Sequence, residues 1–426
     1  MDACRRTRKC VRSRDGNKRN LPRGAKQICI PMSRESYEKL WHDAIAMRQY
    51  VNELLASCPE LFPKGMEHGY QLTGHLPESK KLPGVRLRQL RLKDKRVFTL
   101  RPSFALSYMT GTAEDVAYPL LLLSFGVPTW VVVQGFGHNE MYWHRLVERL
   151  GRNSLAGTTA RRDDALPLHL AADEHHVDWR GEKGYIALTA GKGCLLGLAL
   201  TEAADDDHLL DAYGDFHEEA RDVKPTYSPV TVNTDGWKAT QNAWRTLFTS
   251  ISVILCFLHG FLKIRDRSRK DQELHRRVWE VYWAAGKDEF NQRMQAFHSW
   301  WCGKSWLAPV REALEKLWNR REEYAVSHQY PGCHRTSNLV DRLTNRLYRV
   351  LYAGRGLHGH QASSERHLRG WALLLNFRPY APRSGVQREY QSPAHALNGK
   401  KYHDHWLHNL LISASMAGYR QAHRKC

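Results

Sequence analysis

Between residues 166 and 262 the apolar positions of the chain alternate between strand-like and helix-like spacing. Strand-like spacing, with a period of two or a short continuous apolar run, occurs in residues 166–177, 185–201 with a turn at 191–193, 230–234 and 251–262. Helix-like spacing occurs in residues 205–223 and 239–248. The order is three strands, a helix, a strand, a helix and a strand, which predicts an α/β fold with a mixed sheet.

The chain on either side of this region is predicted to be mainly helical. Residues 28–63 and 112–151 follow the helical period, and so do residues 266–330, which contain six of the 14 tryptophans. A tryptophan-rich stripe is typical of a core, so we interpret residues 266–330 as an all-helical insertion. Residues 334–352 predict a long helix capped by Thr336 or Ser337.

These patterns divide the chain into six segments. They are a basic arm (1–27), an N-terminal DNA-binding region (28–160), the first part of the α/β core (161–265), the helical insertion (266–330), the last part of the core (331–377) and a basic tail (378–426).

The charge of the chain narrows the class of partner. Its 426 residues carry a formal net charge of +20, which favours a polyanion, and nucleic acid fits this charge best. The basic residues that we expect to contact double-stranded DNA lie in residues 80–96 and in a helix starting near Asn139; they are Lys80, Lys81, Arg86, Arg88, Arg91, Lys93, Arg145, Arg149 and Arg152.

Residues 112–151 could form a helix-turn-helix, because three short helical stretches are separated by Gly126 and by the sequence GFGHN. In this interpretation the side chains facing the core are Met141, Leu146, Val147 and Leu150. Those facing solvent are Tyr142, His144, Arg145, Arg149 and Arg152. An ordinary helical hairpin explains the same pattern and stays open.

Neither a secretory signal nor a membrane span is expected, because no apolar run approaches 18 residues. Nine cysteines at irregular positions argue for reduced thiols and against a disulfide framework. We therefore expect a cytoplasmic protein that is associated with the nucleoid.

Three acidic residues are candidates for a metal-dependent site. Asp173 lies on a predicted strand, Asp235 lies at a strand end, and Asp341 lies near the start of a helix. Phosphoryl transfer onto DNA uses hard oxygen ligands that hold two Mg²⁺ (or Mn²⁺) ions roughly 4 Å apart. Each residue alone also has an ordinary explanation as a turn residue, a helix cap or a charge at a helix N-terminus.

The residues around these acids resemble those of the DDE/D transposases of bacterial insertion sequences, particularly the Mutator-like group. The resemblance covers residues 166–377 and is carried by the order of the elements and by four motifs. They are LAADEHHV with Asp173, VNTDGW with Asp235, the Cys-x-x-His signature CFLH at residues 256–259, and TSN at residues 336–338, followed by Asp341.

This resemblance implies a ribonuclease H-like catalytic domain that cleaves transposon ends and joins them to target DNA, acting as a homodimer or higher oligomer. It implies that Asp173, Asp235 and Asp341 are the metal ligands and that Cys256 and His259 support the site. From its position at the end of the apolar strand, we expect His259 to orient the site by hydrogen bonding without binding metal directly. The Mutator-like pattern usually ends in glutamate. Glu322 or Glu323 therefore stays an alternative to Asp341 as the third ligand.

Three other interpretations remain open at this point. The chain could be a non-catalytic DNA-binding relic of a transposase, or a ribonuclease H-like nuclease that selects a DNA structure and cuts without joining. A metal site at His403, His405 and His408 is a further alternative. We prefer phosphate binding for that segment, since a basic, histidine-rich tail needs no metal for it.

Overall fold

A computed structural model describes residues 26–78 and 80–416 and shows a mixed α/β protein with two sheets that each combine parallel and antiparallel strands. The predicted α/β class is confirmed at this level. Residues 1–25 of the predicted basic arm and residues 417–426 of the predicted tail lie outside the described residues.

The N-terminal region contains a four-stranded sheet beside two helices. Its elements are β1 (Gln27–Ile30), α1 (Arg34–Leu40), α2 (Ala44–Ser57), β2 (Tyr70–His75), β3 (Arg88–Leu92) and β4 (Val97–Pro102), with strand order β1-β4-β3-β2. Ser33 caps α1 by accepting a hydrogen bond from the Ser36 amide, as its sequence position indicates. The prediction that residues 28–63 are helical is wrong at the start, where β1 pairs in parallel with β4.

Four helices follow, and three of them confirm the helical stretches predicted for residues 112–151. They are α3 (Ala113–Ser124), α4 (Thr129–Phe136), α5 (Glu140–Leu150) and α6 (Leu155–Thr159). Thr112 and Asp115 form a reciprocal capping box at the start of α3.

The second sheet has five strands, in the order β7-β6-β5-β8-β9. Its elements are β5 (His169–Trp179), β6 (Glu182–Gly191), β7 (Cys194–Thr201), α7 (Asp206–Val223), β8 (Thr231–Thr234), α8 (Lys238–Leu247) and β9 (Ser252–Leu255). Strands β5, β6 and β7 form an antiparallel meander, while β8 and β9 run parallel to β5.

The chain becomes helical after β9. The helices are α9 (Phe257–Arg267), α10 (Gln272–Tyr282), α11 (Lys287–Cys302), α12 (Ala308–Asn319) and α13 (Arg321–Ala325), and they share a core of their own with β9. The predicted strand 251–262 is therefore wrong beyond Leu255. Phe257, Phe261 and Ile264 are buried at helical spacing, and an apolar run does not by itself distinguish a buried strand from a buried helix.

Four more helices complete the described chain, namely α14 (Asn338–Ala353), α15 (Gln361–Phe377), α16 (Pro393–Asn398) and α17 (Trp406–Ala414). Helices α7 and α8 cover one face of the five-stranded sheet, whereas α14 and α15 cover the other. Among these described helices, none has the length and apolar character needed to cross a membrane.

Candidate functional site

Two of the predicted acids meet where β5 and β8 run side by side. The two strands are parallel, with Ala171 opposite Asn233, so Asp173 and Asp235 follow at the same level of the sheet. Carboxylate oxygens of Asp173, Glu174 and Asp235 lie within 4.8 Å of one another. In residues 26–78 and 80–416, this is the one group of three or more potential ligands close enough to share a metal ion.

Glu174 belongs to this group although the sequence analysis did not select it. It follows Asp173 on β5, so its side chain starts toward the opposite face of the sheet, beneath α7 and α8. There the Tyr213 hydroxyl donates a hydrogen bond to its carboxylate, and the Thr240 hydroxyl donates a second one at 2.7 Å. Its place beside Asp173 in LAADEHHV was the signal available in the sequence.

Burial disfavours the ionised form of these acids, and repulsion between their charges disfavours it further. Burial, followed by the charges of Glu174, Asp235 and Asp341, raises the pKa of Asp173 to about 7. Burial also raises the pKa of Glu174, against the opposing hydrogen bonds from Tyr213 and Thr240. A crowded set of half-buried carboxylate oxygens suits a hard divalent cation, so these residues fit Mg²⁺ or Mn²⁺.

The third predicted acid lies on α14, outside this group of three. Asp341 lies in the first turn of that helix, where the Ser337 hydroxyl donates a 2.8 Å hydrogen bond to its carboxylate. It is not a member of the group of three, but its charge contributes to the raised pKa of Asp173.

The two alternative glutamates have other surroundings. Arg320 donates two hydrogen bonds to Glu323, at 2.8 and 2.6 Å, and Glu322 is exposed beside Arg321. Neither glutamate is among the charges that raise the pKa of Asp173. These contacts favour Asp341 over Glu322 and Glu323 as the third acid.

Cys256 connects the second sheet to this third acid, and His259 lies close to it in sequence. Cys256 ends the strand region and caps α9, and His259 lies in the first turn of α9. The Ser337 amide donates to the Cys256 sulfur at 3.1 Å, so the cysteine holds the residue that in turn holds Asp341.

The same pair has unusual titration properties. Interaction with Cys256 is the main cause that raises the pKa of His259 to about 9, and the charges of Asp235 and Asp173 add to it. Burial opposes ionisation of the Cys256 thiol, but interactions with His259 and Ser337 outweigh it and lower the pKa of that thiol. A protonated His259 would bring positive charge to the edge of the acidic cluster.

The backbone at Asp235 is shaped by Gly236. Its φ of +98° lies in the left-handed region, and a Cβ there would stand 2.7 Å from Leu255 and 3.2 Å from the Arg320 guanidinium. The Trp237 amide donates a 2.8 Å hydrogen bond to the Asp235 carboxylate. Glycine therefore allows the turn that presents Asp235 and the close approach of Arg320, a residue that the sequence analysis did not identify.

The predicted DNA-binding residues of the N-terminal region do not all reach the surface. Lys80, Lys81, Arg86, Arg91 and Lys93 are exposed. The assignment of Arg88 is wrong, because its guanidinium is buried and donates hydrogen bonds of 2.9 and 2.7 Å to the Trp41 carbonyl.

The prediction of which α5 side chains face solvent is also only partly correct. Arg145 and Arg152 are exposed, but His144 is half-buried and stacks on His367, and Arg149 is half-buried over the Tyr108 ring. Helix α5 packs closely on α15, which explains why this face is not free. Two details also differ: Tyr142 is half-buried, and Met141, expected in the core, is 51% exposed.

The three histidines of residues 403–408 lie close together, but they are not among the described groups of three side chains close enough to share a metal ion. His408 pairs with the Glu114 carboxylate at 2.9 Å and with the Ser103 hydroxyl at 3.0 Å, and its ring stacks on His403. Burial lowers the pKa of His403, His405 and His408, to about 4 for the last. These contacts join α17 to the N-terminal region.

A scan against protein-family models and a search of curated proteins found no match to this chain.

Proposed function

We propose that this protein is a DDE/D-type DNA transposase that cleaves transposon ends and transfers the strands to target DNA. The observation that carries the proposal is the convergence of Asp173 and Asp235 on two adjacent parallel strands, with Asp341 held nearby on α14. Asp235 follows Asp173 by 62 positions, and Asp341 follows Asp235 by 106. The charges of both nevertheless raise the pKa of Asp173.

The architecture supports the same proposal. An antiparallel meander followed by two parallel strands, in the order β7-β6-β5-β8-β9, is the arrangement expected of a ribonuclease H-like domain. The helical segment α9–α13 stands between β9 and α14, has its own core, and corresponds to the proposed insertion.

We assign the following roles to the residues of the site. Asp173, Glu174, Asp235 and Asp341 would hold Mg²⁺ or Mn²⁺, with two ions expected. Bound there, the metal would activate the attacking oxygen and stabilise the leaving oxygen of phosphoryl transfer. The Cys256–Ser337 contact would position Asp341.

Exposed basic residues of the N-terminal region would hold double-stranded DNA. Lys80, Lys81, Arg86, Arg91 and Lys93 lie within one stretch, and phosphate contacts of this kind make affinity depend on salt. Replacing Arg91 and Lys93 together by glutamine should reduce the slope of log affinity against log salt by about 2.

The catalytic test uses the full chain and a plasmid carrying the DNA that flanks the gene, first inspected for short inverted repeats. With Mg²⁺ or Mn²⁺, the wild type should cut at the repeats and produce joined strand-transfer products. Asp173→Asn and Asp235→Asn should abolish both reactions. Glu182→Gln, which alters an exposed acid of the same sheet, should retain them.

Other results would select another function. Cleavage without joining would favour the structure-selective nuclease, and DNA binding without metal-dependent cleavage would favour the relic. Comparing Asp341→Asn with Glu323→Gln identifies the third acid, since only loss of the true ligand should lower cleavage as far as Asp173→Asn does.

A further inference from the structure

The exposed face of α14 combines arginine and tyrosine side chains. Starting one residue after Asp341 and ending just beyond the helix, the exposed residues include Arg342, Asn345, Tyr348, Arg349, Tyr352 and Arg355. The Tyr352 ring is 81% exposed and the Tyr348 ring 46%. Large exposed rings on a helix that is otherwise well packed indicate a surface available to a partner.

The arginines on this face form no ion pairs, although two acids lie close by: Asp341 precedes Arg342, and Asp178 lines a cavity together with Arg355. Among the described residues, Arg342, Arg346, Arg349 and Arg355 form no ion pair with a carboxylate. Arg346 and Arg349 also lie near Arg378, whose pKa is lowered to about 10 by burial first and then by these two charges. Four arginines against Asp341 and Asp178 leave a net positive charge on this side of the protein, which favours an anionic partner.

A cavity of about 530 Å³ separates the two tyrosines from α4. Trp130 of α4, which is 56% exposed, lines it together with Tyr348, Tyr352 and Arg355. A larger cavity of about 850 Å³ lies elsewhere, between the N-terminal sheet, α7 and α15, and the acidic cluster does not line it. The larger cavity is also lined by arginines, but the smaller one differs from it in being lined by three exposed aromatic rings beside α14.

This surface continues from the acidic cluster. His175 follows Asp173 by two residues, and so starts on the same face of β5, where it contacts the Tyr348 ring at 5.1 Å. Val177, two residues further along, lines the cavity. At about 3.3 Å per residue, the cavity begins roughly 13 Å from Asp173 along the strand.

We propose that Trp130, Tyr348 and Tyr352, with the arginines of α14, form a surface that binds an unpaired stretch of the nucleic acid strand beside the scissile phosphate. We call these residues the stacking surface; its role as part of the substrate site depends on the proposed function. The rings would stack on bases while the arginines contact phosphates. In a paired duplex the base faces are covered, so rings add binding only where the strand is unpaired.

The test measures binding and not cleavage, in the Asp173→Asn background and without divalent metal. Fluorescence anisotropy would compare a labelled single strand, a blunt duplex and a duplex with a single-stranded overhang. Replacing Tyr348 and Tyr352 together by leucine should weaken binding of the single strand and the overhang about tenfold or more, because each stacked base contributes separately. Blunt-duplex affinity should change less than twofold.

The matched control replaces the same two tyrosines by phenylalanine, which keeps the rings and should keep single-strand affinity. Thermal unfolding and light scattering would accompany each variant. Equal losses on all three DNAs, or no loss on any, would overturn the proposal. A leucine variant that loses self-association while keeping DNA affinity would identify the surface as a contact between copies, which also overturns it.

The result is separable from the catalytic proposal. If wild-type protein cuts no DNA but the leucine variant still loses single-strand affinity selectively, the stacking surface stands and the transposase proposal fails. If the wild type cleaves DNA but the leucine variant shows no selective loss of single-strand affinity, the transposase proposal stands and the stacking surface fails.

Discussion

Replacing Asp173 by asparagine should stabilise the metal-free protein at alkaline pH while removing its response to Mg²⁺. In the wild type the Asp173 carboxylate is half-buried beside Glu174 and Asp235, and its ionised form is penalised. Asparagine keeps the size of the side chain and removes the charge. A residue required for the proposed reaction is thus expected to reduce stability when no cation is bound.

The sign and size of the effect follow from the pKa. In the unfolded chain the carboxyl ionises near its ordinary pKa of 3.8, but in the folded protein only near about 7. The free energy of unfolding therefore decreases through Asp173 as pH rises from about 4 to about 7, and this loss persists at higher pH. At about 1.4 kcal/mol per pKa unit, the cost is at most roughly 4 kcal/mol at pH 8 and about 1.5 kcal/mol at pH 5.

Urea unfolding at pH 5 and pH 8, with EDTA or with Mg²⁺, would measure this cost. With EDTA, Asp173→Asn should exceed the wild type in free energy of unfolding, and by more at pH 8 than at pH 5. Mg²⁺ should stabilise the wild type in proportion to its binding, but not the variant. Glu182→Gln, on the exposed start of the neighbouring strand, should show neither change.

The reasoning would be refuted if Asp173→Asn destabilised the metal-free protein at pH 8, or if its advantage over the wild type were the same at both pH values. An undiminished response of the variant to Mg²⁺ would separately refute the assignment of Asp173 as a ligand.

Three further predictions concern the surrounding structure. Cys256→Ala should lower the pKa of His259 from about 9, measured by NMR titration of the imidazole, since Cys256 is the main cause of the rise; an unchanged pKa would contradict this. Gly370→Ala should lower the free energy of unfolding by more than about 3 kcal/mol, because its Cβ would stand 2.1 Å from a backbone oxygen of α5. Gly214→Ala has open space around it and should raise that free energy by about 0.5–1 kcal/mol. Chemical denaturation measures both, and equal effects would contradict the packing. Arg88→Ala should cost about 1–3 kcal/mol of stability and leave the salt dependence of DNA binding unchanged, which titrations at several salt concentrations would check.

Most elements of the five-stranded sheet could be predicted from periodicity. The period of two separates Leu170 and Ala172 from Ala171 and Asp173, and the structure places the first pair under α7 and α8 and the second pair toward α14. Where the pattern was a continuous apolar run, it failed. Residues 257–262 fit a buried strand as well as a helix, and only the core formed with α10–α13 makes them helical.

The candidate site was predictable in its parts but not in its composition. Asp173 stood out on a predicted strand and Asp235 at the end of another, whereas Glu174, which starts on the other face of β5, was not selected. It joins the cluster because Asp235 follows the last residue of β8 and can be approached from both faces of the sheet.

By itself, the sequence determined most of the local elements, the alternation of side chains along each strand, and the large positive charge, since these depend on residues close together in the chain or on their sum. Only the tertiary structure decided that the charge of Asp341 acts on Asp173 while Glu323 pairs with Arg320, and that Arg88 is buried although the other basic residues of positions 80–96 are exposed. The reason is physical: these choices depend on how separate helices and strands pack, and the spacing of residues within one element carries no measure of the distance to another.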